Sequence, residues 1–203
     1  MKHLISFIVI LGLVQVAKAQ SFEIKVVQEE NRQIMYYTGE IFNPKFSQDL
    51  LQIYVQSLRQ LRKNKPLFLV LNSPGGDVGM ANRISLDMQR ICNGNCLYTT
   101  VVESKVSCSS ACVNVFLSGV ERLANDDSKF LVHSGYSAET GFSTALEMAA
   151  GQYWGGMDVD WLASFIDKTG AYTDGRDITI TGRKDLLESG LVTHVHSELA
   201  LVK

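Results

Sequence analysis

The pattern of apolar and polar positions alternates between two periods along the chain. Apolar residues recur three and four positions apart in segments 46–61 and 77–91, which predicts amphipathic helices. Short runs of aliphatic, aromatic and β-branched residues predict strands. These runs are 34–41, 66–72, 97–102 and 130–134. Because strands and helices follow one another in turn, the sequence predicts an α/β protein with a parallel sheet.

The C-terminal part of the chain continues this pattern. Segments 110–117 and 142–169 are predicted to be helical. A shorter helix at 182–190 ends at a glycine, and a last strand follows at 191–195. No shift in composition marks a boundary between these elements, so we expect one domain.

The first 19 residues differ from the rest of the chain. A short basic start precedes an apolar run of 11 residues at 4–14. Such a run is too short to span a bilayer, which takes about 20 residues. Residues 17–19 read Ala-Lys-Ala, the small-x-small pattern of a cleavage site. We therefore predict a signal peptide over 1–19 and a secreted or periplasmic domain over 20–203, without a stable membrane span.

The composition limits which classes of binding partner are expected. The 203 residues are 46% hydrophobic and 20% charged, with a net charge of −2. This balance is typical of a globular domain with a sizeable core and does not favour nucleic acid or an anionic membrane as a partner. The chain also lacks the phosphate-binding G-x-x-x-x-G-K-[ST] and zinc-binding H-E-x-x-H motifs, so no cofactor or metal is implied.

The predicted export changes how the four cysteines are interpreted. An even number in an oxidising compartment favours disulfides, and four cysteines allow three pairings that sequence alone does not distinguish. The C-x-x-x-C spacing occurs twice and is looser than that of most structural zinc sites. The working expectation is local pairing, Cys92 with Cys96 and Cys108 with Cys112.

Two predicted strand-to-helix turns carry candidate chemistry. Gly75 and Gly76 form the first, where backbone N–H groups are able to bind an anion or a developing oxyanion. The alternative is a plain tight turn. The second reads SCSSAC at 107–112 and leads into the helix 110–117. A serine there meets the positive end of the helix dipole, although serine is also a common helix N-cap.

A nucleophilic serine needs a base and an acid that orients it. His133 ends the strand 130–134, and strand ends are where sites gather in α/β sheets. A histidine packed in the core is the alternative interpretation. Asp174 and Asp177 lie in a polar segment before the last helix and are candidates for the acid.

Four motifs occur in an order that resembles a known family. LNSPGGDV is followed by CSSACVNVFLSG, FLVHS and a terminal GLV. Their order resembles the Clp protease proteolytic subunit and its crotonase-fold relatives, and more closely the exported branch of bacterial envelopes. The resemblance covers residues from about Ile34 to Val195. It implies a single-domain fold of repeated ββα units and a serine hydrolase, a peptidase acting on peptide or protein substrates.

The resemblance also implies a role for each motif residue. Matching Gly119 to the glycine that ends the family's helix makes Ser110 the nucleophile, rather than Ser107 or Ser109. The remaining implied roles are a base at His133, an acid at Asp174 with Asp177 as the alternative, and oxyanion N–H groups at Gly76 and Ala111.

The chain departs from the family at three points. Cys108 and Ser109 stand where the family has its small residues ahead of the serine. Ala111 stands where the family usually has methionine, which matters little because only a backbone N–H is required. Ser134 and Gly135 follow the histidine where the family has Gln-Pro, so the substrate cleft is expected to differ in shape.

Two other functions stay open. One is a Ser-Lys peptidase of the signal-peptide-peptidase type with Lys105 as base, which would need a buried lysine. The other is a binding or assembly module with a dead site. The resemblance also implies self-association into a homo-oligomer, because members of the family pack the long helix after the histidine against neighbours. The many large apolar residues of 142–169 fit this expectation, and packing in the chain's own core is the alternative.

Overall fold

The computed structural model describes residues 22–94, 96–132, 136–137, 141–142, 158–169 and 178–196. Its strands are β1 (Glu23–Gln28), β2 (Gln33–Thr38), β3 (Leu67–Asn72), β4 (Tyr98–Val102), β5 (Ser107–Ser109), β6 (Glu121–Asn125), β7 (Lys129–Val132), β8 (Tyr136–Ser137), β9 (Gly141–Phe142), β10 (Ile178–Ile180) and β11 (His194–His196). Its helices are α1 (Gln48–Gln60), α2 (Val78–Cys92), α3 (Ala111–Leu117) and two further helices at Val159–Thr169 and Arg183–Glu188.

The main sheet has six strands in the order β1-β2-β3-β4-β6-β11. β1 pairs antiparallel with β2, and every other neighbouring pair is parallel. Parallel strands need crossover connections, and α1, α2 and α3 supply them between successive strands. All five residues of β4 are buried, as is expected of a strand covered on both faces. The predicted α/β class is confirmed.

Helix α2 shows how local sequence sets the element that leads away from β3. The Asp77 carboxylate accepts a hydrogen bond from the Met80 N–H at 2.7 Å, an N-cap that contributes about 1 kcal/mol. Met80, Ile84 and Met88 are buried on one face, the face that the apolar spacing predicts. The cap and the apolar face therefore both fix the direction in which the chain leaves the end of β3.

A second, smaller sheet lies beside the first in the order β10-β7-β5. β5 is parallel to β7, and β10 is antiparallel to it. The two sheets are linked where Ser73, just after β3, exchanges backbone hydrogen bonds with β5: its N–H donates to Ser107 at 3.0 Å and its carbonyl accepts from Ser109 at 3.0 Å. Residue 110 thus follows a strand that is tied to the end of β3.

Several strands have no counterpart in the sequence prediction: β1, β5, β6, β8, β9 and β10. β5 consists of three small residues without a β-branched side chain, and its pairing comes from β7 and Ser73. The predicted strand 34–41 ends at Thr38, and β11 begins at His194 rather than at 191. Of the long helix predicted at 142–169, the structure describes residues 142 and 158–169. Val159–Thr169 is helical, but Phe142 pairs in the hairpin strand β9, so the predicted helical start is wrong.

No helix within the described residues is both long and apolar enough to cross a bilayer.

Candidate active site

The backbone of Ser110 is the most unusual feature of the turn between β5 and α3. Its φ is 54° and its ψ is −126°. These are the angles of the first central residue of a type II′ turn, a position where glycine is usual because a Cβ atom is crowded there. The Ser110 side chain makes no capping hydrogen bond to the helix. The structure therefore does not support the reading of Ser110 as an ordinary N-cap.

Bonds on both sides hold Ser110 in this conformation. Its N–H donates to the carbonyl of Leu131 in β7 at 2.8 Å, and its carbonyl accepts from the N–H of Val113 at 2.8 Å. The Cys108–Cys112 disulfide closes the same turn. A non-glycine residue in a sparsely populated region costs about 1–3 kcal/mol, so the surrounding fold supplies the restraint.

The glycine turn after β3 packs directly against the Ser110 turn. The N–H of Gly75 donates to the Ser73 hydroxyl at 3.1 Å, and its carbonyl accepts from Ile41 at 2.7 Å. Gly75 has a φ of +96°, and a Cβ built on it would lie 2.6 Å from the Ser110 Cβ and 3.1 Å from the Ala111 nitrogen. The structure thus brings together the two strand-to-helix turns that the sequence singled out.

The predicted oxyanion donors belong to these two turns. Among the hydrogen bonds of the described residues, none uses the N–H of Gly76 or of Ala111. Gly76 has a φ of +136°, and its neighbour Asp77 donates to Ile41 at 2.8 Å. Both N–H groups are therefore unpaired within the described residues, as the donors of an oxyanion site must be; Gly76 is exposed, whereas Ala111 is buried.

The neighbouring serines occupy a different environment. Ser107 and Ser109 belong to β5, and their backbone groups are engaged by Ser73. Only Ser110, of the three, stands at the turn into α3. The Gly119 that directed the family match lies two residues beyond the end of α3 at Leu117.

His133, Asp174 and Asp177 lie outside the described residues. Their nearest described chain neighbours are the last residue of β7, Val132, and the first residue of β10, Ile178. These two residues are paired in the antiparallel register of the small sheet.

Buried polar groups of β4 hold the C-terminal end of α3 in position. The Thr100 hydroxyl donates to the Phe116 carbonyl at 2.6 Å, and the Tyr98 hydroxyl lies 3.1 Å from the Ser118 hydroxyl. Burial raises the pKa of the Tyr98 phenol, so it stays neutral at physiological pH. Both contacts tie the C-terminal end of α3 to β4.

Arg122 joins the GLV motif to the end of α3, a role that the sequence analysis did not find. Its guanidinium donates to the carbonyls of Leu191 at 2.7 Å, Gly190 at 3.1 Å and Gly119 at 3.4 Å. Burial lowers the pKa of Arg122. The GLV motif is thereby joined to the segment that ends α3. A single arginine at the start of a short polar strand carries no sequence signal for this role.

Lys105 is exposed and lies in the turn before β5. The Ser-Lys alternative needs a buried lysine, and the exposed side chain of Lys105 does not meet that condition.

The cysteines pair locally, as expected. Cys92 is bonded to Cys96, and Cys108 to Cys112. Within the part of the chain that the structure describes, no three His, Cys, Asp or Glu side chains are grouped so that they could hold a metal ion.

The two strand-to-helix turns together show two features. Ser110 has a strained backbone conformation between a strand and a helix, and the N–H groups of Gly76 and Ala111 have no partner among the described residues. Comparison with known sequences gives the family: the Clp protease family model matches residues 18–155, more than half of the chain. The chain belongs to the Clp protease family.

Other comparisons were made with curated sequences and with solved structures. No curated protein sequence matches the chain. One matching structure is a point mutant of ClpP1 from Listeria monocytogenes, 18% identical, covering 81% of this chain and 90% of the other at a TM-score of 0.46.

Proposed function

We propose that the chain is an exported serine peptidase in which Ser110 attacks the scissile carbonyl of a peptide. The observation that carries the proposal is the glycine-type backbone of Ser110 at a strand-to-helix turn. Strain of this kind costs free energy, persists where the fold over-determines it and gathers at functional sites. Membership of the Clp protease family supports the same reaction class.

The mechanism follows from the roles assigned to the motif residues. His133 takes the Ser110 proton as general base and returns it to the leaving amine. The oxyanion that forms on the carbonyl accepts hydrogen bonds from the backbone N–H groups of Gly76 and Ala111. The packing of Gly75 against Ser110 and Ala111 supports this assignment, because Gly76 is the next residue of the same glycine turn.

An aspartate orients the His133 imidazole, and two candidates are available. The pairing of Ile178 with Val132 supports Asp177 over Asp174, since Asp177 and His133 directly adjoin these two residues in the chain. Asp177→Asn is then expected to lower kcat by orders of magnitude, as loss of a triad aspartate does. If Asp174→Asn costs more than Asp177→Asn, Asp174 is the acid.

Serine substitutions test the nucleophile. Ser110→Ala should reduce hydrolysis of fluorogenic peptides and activated esters by at least about 10³-fold. Ser107→Ala and Ser109→Ala are the matched controls and should keep the wild-type rate within about tenfold, because neither lies on the turn. Full activity in Ser110→Ala would exclude the mechanism.

A double substitution tests whether serine and histidine act as a unit. His133→Ala should lose about as much activity as Ser110→Ala, and the double variant should be no worse than either, because a triad is non-additive. Lys105→Ala tests the Ser-Lys alternative and should leave the rate unchanged. Loss of activity in Lys105→Ala with a retained rate in His133→Ala would favour that alternative instead.

Export and assembly complete the proposal. The apolar run at 4–14 and the Ala-Lys-Ala at 17–19 support cleavage after Ala19, so the exported protein should begin at Gln20 by mass spectrometry. Recovery of an uncleaved chain from the membrane fraction would contradict this.

We also propose a homo-oligomer. On the helix Val159–Thr169, Trp161 and Phe165 pack against the core of their own chain, and their ring centroids lie 4.8 Å apart. Both side chains are only half-buried, and their exposed part supports a contact with a second copy. Light scattering at micromolar concentration should give a mass above that of one chain, and a monomer would count against the proposal.

A further inference from the structure

We propose that the Cys108–Cys112 disulfide is a positioning device that holds Ser110 in its glycine-type backbone conformation. The chemical part of this inference rests on the proposed function, in which Ser110 is the nucleophile. The backbone part does not, because it concerns only the conformation of the turn. The two parts therefore need separate measurements.

The disulfide encloses Ser110 symmetrically. Cys108 lies in β5 and Cys112 in the first turn of α3, with Cα atoms 5.2 Å apart. Ser110 is the middle residue of the five-residue loop that the bond closes. Both half-cystines are fully buried, so the cross-link is part of the packed core. A loop this short leaves few combinations of backbone angles for its middle residue.

The other restraints on Ser110 are single hydrogen bonds. One joins its N–H to Leu131 and the other joins its carbonyl to Val113. Each such bond contributes little net free energy, because the same groups bond to water when the turn opens. The disulfide persists through such openings and returns the turn to the same backbone angles.

The chain contains a matched control. The Cys92–Cys96 disulfide has the same sequence separation of 4 and a Cα–Cα distance of 4.8 Å. It closes the turn at the C-terminal end of α2 and does not enclose Ser110. A purely stabilising role predicts similar consequences when either disulfide is removed, whereas a positioning role predicts a difference at Ser110.

A thermodynamic cycle tests the backbone part without any activity. Ser110→Gly removes the crowded Cβ and should raise Tm by several degrees in the disulfide-bonded protein. In Cys108→Ala/Cys112→Ala the same change should raise Tm by less than half as much, because the opened turn has already relaxed. In Cys92→Ala/Cys96→Ala the full rise should remain. Equal rises in all three backgrounds would overturn the backbone part.

A second variant is used if Cys108→Ala/Cys112→Ala folds poorly. Cys108→Val/Cys112→Val replaces the buried sulfurs by apolar groups of similar volume and is used in the same cycle. If neither variant folds while Cys92→Ala/Cys96→Ala does, the bond is required for folding and the inference of a positioning role is wrong.

Labelling by a fluorophosphonate probe tests the chemical part. The second-order rate constant at Ser110 should fall by at least about tenfold in the variant without Cys108–Cys112, because small misplacements of a nucleophile are costly. It should stay within about twofold of wild type in Cys92→Ala/Cys96→Ala. Equal rates in both variants would refute the inference, whereas no labelling of wild type would refute the proposed function instead.

Discussion

The turns closed by Cys92–Cys96 and Cys108–Cys112 contain the same kind of cross-link but differ in backbone conformation. Each bond joins residues four positions apart, so a chain-entropy treatment assigns each about 2 kcal/mol of stabilisation. Among the described residues, each loop also holds one non-glycine residue at positive φ. Asn93 has a φ of 45° and a ψ of 37°, whereas Ser110 has a φ of 54° and a ψ of −126°.

The difference in ψ separates an ordinary turn from a strained one. Asn93 lies in the left-handed helical region, which asparagine tolerates, and its N–H donates to Gln89 at 2.7 Å to end α2. Ser110 takes a conformation suited to glycine, and its side chain caps nothing. A positive φ alone therefore marks a turn, and it is the combination with an unusual ψ and an unused hydroxyl that points to a site.

The glycines beside the two turns differ in the same way. Gly94, in the Cys92–Cys96 loop, has a φ of +70°, and a Cβ built on it would meet no described atom within 4 Å. Gly75 has a φ of +96° and a packed environment that includes the Ser109 carbonyl and the Ser110 Cβ. Gly94 therefore only allows the positive φ of its own turn, whereas Gly75 also leaves room for the neighbouring Ser110 turn.

The largest expected effect comes from adding a methyl group at these glycines. Gly75→Ala should lower the free energy of unfolding by about 3 kcal/mol or more, because the strain at positive φ adds to a clash at 2.5 Å with the Ser109 carbonyl. Gly94→Ala should cost only about 1 kcal/mol. Urea unfolding measures both, and similar costs would mean that the two turns do not differ in packing.

A smaller effect is expected in the reduction of the two disulfides. Cys96 is half-buried, whereas Cys108 and Cys112 are both fully buried. A reductant must reach a sulfur, so Cys92–Cys96 should open first under native conditions, faster by on the order of tenfold. Timed alkylation and peptide mass spectrometry follow each pair. Simultaneous opening of the two bonds would contradict the difference in access.

The smallest effect is expected from glycine at the two positive-φ residues. Ser110→Gly should stabilise the fold by about 1 kcal/mol, since relief of strain exceeds the added entropy of the unfolded chain. Asn93→Gly should change stability by only about 0.5 kcal/mol, because asparagine carries little strain there. Thermal unfolding of the two variants measures both. A larger gain at Asn93 would reverse our assignment of the strained turn.

The sequence predicted much of the fold because periodicity reports burial. The apolar run at 66–72 became β3, and the apolar face of 77–91 became the buried face of α2. β5 escaped prediction because three small residues carry no periodic signal, and its pairing depends on Ser73 and β7, which are distant in sequence.

The candidate site was predictable only in part. Resemblance to a family, rather than any local pattern, distinguished Ser110 from the serines at 107 and 109. The sequence also indicated that the Gly75–Gly76 pair was a special turn, but not that Gly75 is the residue packed against Ser110. Arg122 gave no signal, because its role depends on carbonyls that the fold brings to it from about 70 residues away.

Mapping of a fluorophosphonate adduct tests the central claim, that Ser110 is a nucleophile, most directly. The disulfide-bonded protein is treated with the probe and digested, and modified peptides are located by mass spectrometry. We expect one adduct per chain, on Ser110, that is lost in Ser110→Ala and retained in Ser107→Ala and Ser109→Ala. A folded wild-type protein with no adduct, or with its adduct on another serine, would contradict the account.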